Sequence, residues 1–86
     1  MATRKRHRGR EWTIEWLPKG GGRRWEIGGV DRSYGRGRFH AWAALDSRWK
    51  HSFETLDEAV NAVADFAGIP RGDRILVRDI TTAESV

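Results

Sequence analysis

Five cations crowd the first ten residues: Arg4, Lys5, Arg6, Arg8 and Arg10, with no acid among them. Clustered guanidinium and ammonium groups displace condensed counterions from a polyanion, so their natural chemistry is phosphate binding. A second group lies in the loop Asp31 to Arg38, where Tyr34, Arg36 and Arg38 alternate with glycine. Such a loop combines an aromatic plate for stacking on a base with forks that grip phosphates. Trp42, Arg48 and Lys50 complete the set of candidate contacts.

Catalytic chemistry finds less material. A nucleophile needs a neighbouring base and a group to orient that base. Of the three histidines, His7 lies in the basic arm, and His40 and His51 fall on opposite faces of a strand pair. No His/Asp spacing marks a metal site, and there is no cysteine to supply thiolate ligands or disulfides. The expectation is a protein that is not an enzyme and carries no cofactor. Lys19-Gly20-Gly21-Gly22 lacks the ending and the following helix of a phosphate loop. Arg71-Gly72-Asp73 reads as a turn rather than an adhesion motif, because no secretion signal accompanies it.

These groups must be positioned by a small core. Eighty-six residues make one domain near the lower limit for independent folding, and five tryptophans supply much of the apolar area. Trp12-Thr13-Ile14-Glu15-Trp16 alternates as a strand with Trp12, Ile14 and Trp16 on one face. After a glycine loop, Arg24-Trp25-Glu26-Ile27 resumes the alternation with Trp25 and Ile27 inward, giving a hairpin. Gly28-Gly29 then ends or bulges the second strand. Phe39 to Leu45 and Trp49 to Phe53 form a second strand pair across Asp46-Ser47-Arg48. That connection sets Leu45 against Trp49, Ala43 against His51 and Ala41 against Phe53. It places Trp42 on the other face beside Lys50, exposed, while a two-residue turn would bring it inward with Trp49 and Phe53.

Thr55-Leu56-Asp57-Glu58 is a capping box that opens a helix. Leu56, Ala59, Val60, Val63, Phe66 and Ala67 line its inner face, and Asp57, Glu58, Asn61 and Asp65 its outer one. Gly68 closes the helix in the left-handed conformation and Pro70 forbids its extension. Arg74 to Ile80 is a further strand candidate for the sheet edge. The expected fold is therefore α+β, an antiparallel four-stranded sheet on one helix in the order β-β-β-β-α, with a fifth strand where Arg74 to Ile80 joins. Residues 1–10 form a disordered basic arm, 11–80 the domain, and 81–86 a frayed tail.

At Trp49-Lys50-His51-Ser52-Phe53-Glu54-Thr55-Leu56-Asp57-Glu58-Ala59 the chain resembles the arm-type DNA-binding domains of phage integrases. It is also similar to the related plant ethylene-response-factor domains. The resemblance covers about residues 39–67. It implies a three-stranded sheet on a helix whose open face enters the DNA major groove, with contacts from Trp42, Arg48, Lys50 and Ser52. The chain departs from that pattern by a Trp-rich hairpin in front and a strand behind. Glu15 and Glu26 on the outer face of the hairpin would oppose phosphates there.

The net charge of +4 hides a separation: residues 1–10 and 19–50 are basic, residues 51–86 acidic. The expectation is a cytoplasmic, phage-like nucleic-acid-binding protein, DNA favoured over RNA, with no membrane association. The alternative is an inhibitor or adaptor that binds a host protein through Asp57, Glu58, Asp65 and an exposed aromatic.

Overall fold

Two strands of the first hairpin, two of the second and one after the helix join in a single antiparallel sheet. The computed structural model describes residues 9–32 and 37–81. The expected arm through Arg8, the loop residues Tyr34 and Arg36, and the tail from residue 82 lie outside the described residues. In chain order the elements are β1 (Arg10–Leu17), β2 (Trp25–Arg32), β3 (Phe39–Ala43), β4 (Lys50–Phe53), α1 (Leu56–Ala67) and β5 (Arg74–Asp79). The sheet order is β4-β3-β2-β1-β5, so the fifth strand is formed and lies beside β1. The class is α+β.

Helix α1 lies over β2, β3 and β4. Thr55 accepts from the Glu58 N–H at 3.1 Å and the Glu58 carboxylate accepts from the Thr55 N–H at 3.3 Å, closing the capping box. Gly68 ends the helix at φ 76°, returning its N–H to Asp65. Ala59, Val60 and Val63 are buried against Trp12, Ile14, Val30 and Ala41. Small residues in the sheet admit this approach. A Cβ on Gly28 would stand 2.8 Å from the Val63 Cγ1 and 2.3 Å from the Trp42 carbonyl oxygen. Phe66 stacks on Trp49 at 5.1 Å between ring centres and closes the β4 side. No helix among the described residues is long and apolar enough to cross a membrane.

Four expectations are corrected. Between β1 and β2 the pairing passes from Ile14–Gly28 to Glu15–Glu26, so Ile27 is an extra residue, a β-bulge. Ile27 is buried; Trp25 opposes Trp16 and so keeps the inward face expected for it, but it is 53% exposed rather than buried, with the Arg23 guanidinium 5.3 Å over its ring. In the β3–β4 pair Ala41 opposes His51 and Phe39 opposes Phe53, two residues off the expected register. The Asp46 carboxylate accepts from the Arg48 N–H at 2.9 Å and the Asp46 carbonyl accepts from Trp49, which lengthens the connection and leaves Leu45 73% exposed. A shift of two preserves which face each side chain takes. Lastly, Arg10 belongs to β1 rather than to an arm, and Thr81, expected to fray, accepts a hydrogen bond from the Glu11 N–H at 2.9 Å.

Candidate nucleic-acid interface

In an antiparallel sheet directly opposed residues share a face. On the face away from α1, one row crosses all five strands: Lys50 on β4, Trp42 on β3, Gly29 on β2, Thr13 on β1 and Arg78 on β5. At the usual strand spacing this row is roughly 19 Å wide. A Cβ on Gly29 would meet the Trp42 ring at 2.5 to 2.7 Å. The indole therefore lies down against bare backbone, and only glycine leaves room for it. Trp42 is half-buried rather than fully exposed, a correction to the sequence expectation, because the neighbouring glycine gives it a seat. Thr13, next in the row, is 8% exposed. The result is a flat aromatic plate with a cation at each end of its row.

Arg78 is held in place by the face itself. Its Nη2 donates to the Glu15 Oε2 at 2.8 Å, and Arg24 Nη1 stands 3.7 Å from Oε1. Glu15 is buried, and its Oε1 has no hydrogen-bond partner among the described residues. The carboxylate expected to oppose phosphates thus has two guanidiniums around it, leaving that cluster net positive. Glu26, directly across from Glu15, is exposed and keeps the far corner acidic.

The neighbouring row reads Glu11, Asp31, His40 and Ser52. His40 Nδ1 and Ser52 Oγ are 2.8 Å apart. This pair was invisible in the sequence, since only cross-strand register brings residues 40 and 52 together. Both are exposed, and the ring makes no second hydrogen bond among the described residues, so the orienting link of a nucleophilic triad is missing. Beside these rows lies an open depression of about 450 Å³ lined by Asp31, His40, Ala41, Trp42, Lys50, His51 and Ser52. Among the described residues no three His, Asp or Glu side chains gather to hold a metal.

The remaining predicted residues are dispersed. Lys50 is exposed and forms no ion pair among the described residues, so it sits beside Trp42 as a ready cation. Arg38, just before β3, donates to the Ser52 carbonyl at 3.1 Å and stands 3.6 Å from the Glu54 carboxylate. Arg48 is turned back on Asp46 at the opposite end of the sheet. Arg10 is on the helix side, paired with Asp79. Asp57, Glu58 and Asp65 are exposed on α1, but the Glu58 carboxylate is committed to the cap. Sequence reasoning missed Arg78, Arg24 and Gly29. A glycine inside a strand pattern was the available signal, since it marks close approach by another group. Arg78 had no such signal, because its row depends on which sheet edge β5 joins.

No protein-family model, no curated protein and no solved structure matches this chain.

Proposed function

We propose that the protein is a small nucleic-acid-binding module, DNA favoured over RNA, that uses its open sheet face and its basic N-terminal residues. The observation that carries this reading is the row Lys50–Trp42–Gly29–Thr13–Arg78, an aromatic plate flanked by cations on a face that no helix among the described residues covers. Aromatic plates take bases or sugars and the flanking cations take phosphates. Residues 1–8 and 33–36, which carry Arg4, Lys5, Arg6, Arg8 and Arg36, both join the sheet at the end where β1 begins and β2 stops. A protein partner taken up by Asp57, Glu58 and Asp65 is less well supported, since Glu58 is already engaged.

The test is fluorescence anisotropy against labelled duplex DNA and RNA across a salt series. Full-length protein is expected to bind with log K falling steeply as log salt rises. Removing residues 1–8 deletes four cations, and every phosphate that is no longer neutralised flattens the slope by about 0.9 on B-DNA. Undiminished affinity after that deletion, or binding indifferent to salt, would transfer the reading to a protein partner.

A further inference from the structure

We propose that Arg10 and Arg32 together form a site for one backbone phosphate of the nucleic acid, on the helix side of the sheet, a proposal that rests on the nucleic-acid reading above. The two residues are direct partners across β1 and β2. Like charges placed opposite one another destabilise a sheet unless something of opposite sign sits between them. The described residues supply one carboxylate for the two guanidiniums: Asp79 pairs with Arg10. Arg32 has none. Its Nε donates to the Gly37 carbonyl at 3.2 Å, which leaves its terminal nitrogens without a partner among the described residues.

Both forks are nevertheless held in place. The Arg10 guanidinium lies 5.3 Å over the Trp12 ring and that of Arg32 4.6 Å over the Phe39 ring. Trp12 and Phe39 in turn touch at 5.8 Å between centres. Two adjoining aromatics therefore carry two adjoining guanidiniums, each restrained before any ligand arrives. Restrained planar forks suit a tetrahedral oxyanion, which accepts two N–H groups from each. The chain stretches that enter the sheet here add no competing acid from residues 1–8 or 33–36, and residues 82–86 add Glu84. Arg32 was not among the residues marked by the sequence, where it looked like one more loop charge.

The test uses the full chain and a labelled DNA duplex of about 20 base pairs over a salt series. Arg32→Gln is expected to lower affinity uniformly across sequences and to flatten the log K against log salt slope by about one. Arg32→Lys, which keeps the charge, is expected to keep the slope while binding more weakly. Arg71→Gln, at the opposite end of the sheet, controls for net charge and is expected to leave the slope unchanged. Far-ultraviolet circular dichroism checks that each variant is folded. Tight, salt-dependent binding by the wild type with an unaltered slope in Arg32→Gln would overturn the site and leave the proposed function standing. An equal loss in Arg71→Gln would overturn it as well, since the effect would then belong to overall charge. If the wild-type protein does not bind DNA, the functional reading fails and takes the site with it.

Discussion

The two faces of the sheet are built by the same device and put to different uses. Gly28 and Gly29 are consecutive in β2, so their missing side chains leave room on opposite faces. On one face Val63 of α1 presses toward Gly28, and on the other the Trp42 indole lies on Gly29. The first approach is then sealed by a helix carrying Ala59, Val60 and Val63, all buried. Among the described residues the second is sealed by nothing further, and the indole stays partly exposed between Lys50 and Arg78. A glycine beneath a helix serves packing. A glycine beneath an uncovered aromatic, with cations on either side, makes a surface that is flat and pre-formed.

Alanine at the two glycines separates these roles most sharply. Gly28→Ala drives a methyl into the Trp42 carbonyl oxygen, a backbone atom that cannot rotate away. The expected loss is about 3 kcal/mol or more, at or above the upper end of overpacking, read by urea denaturation. For Gly29→Ala the nearest atoms are those of the Trp42 ring, a side chain that can swing out. It is expected to cost clearly less stability, yet to weaken nucleic-acid binding because the plate is displaced. Equal destabilisation by both would break the comparison.

Next in size is the pair Val63→Ala and Trp42→Ala. Val63 is fully buried, and its truncation is expected to cost roughly 1–3 kcal/mol of stability with no direct effect on binding. Trp42→Ala should also cost about 1–3 kcal/mol of stability, since most of its area is covered. Unlike the valine change, it is expected to weaken binding by about 1–3 kcal/mol as well. Denaturation and anisotropy on the same two variants decide the matter. Normal binding by Trp42→Ala would reduce the open face to a structural surface.

The smallest expected effect concerns the β5 margin of the sheet. There β5 is fastened to β1 by polar interactions: Trp16 Nε1 to Asp73 at 2.9 Å, the Ile80 N–H to the Glu11 carbonyl at 2.9 Å, and Arg10 to Asp79. Hydrogen bonds from Thr81, side chain and then backbone, followed by the Arg10 guanidinium, lower the Asp79 carboxyl from 3.8 to about 2. A depressed carboxyl stabilises the folded state fully above its unfolded value and loses that contribution as pH falls from 3.8 through about 2. Asp79 is solvent-exposed, so the effect is expected to be slight. Thermal melts between pH 5 and 2 should show a small extra acid sensitivity in the wild type that is absent in Asp79→Asn. Identical profiles would remove this fastening from the account.

Local chemistry decides what can be read without the fold. The capping box at Thr55 and Glu58, the left-handed Gly68 and the inner face of α1 involve residues within a few positions of one another, so spacing alone specified them. The same holds for the alternation that put Trp12, Ile14 and Trp16 on one side, and for the separation of His40 from His51. Even the misplaced β3–β4 register kept its faces, since a slip of two residues leaves period-two alternation intact. What needed tertiary structure was every partner distant in the chain. The bulge at Ile27 depends on how β1 and β2 align. Arg78 enters the open row only because β5 adds to β1 and not to β4. Arg10 faces Arg32, Glu15 gathers Arg24 and Arg78, and Trp42 finds its seat on Gly29 through strand pairings that no local pattern encodes. Residue types and short spacings determined the elements and their apolar faces; the order and register of the strands, set by the packing of the whole sheet against one helix, determined which charges and rings would meet.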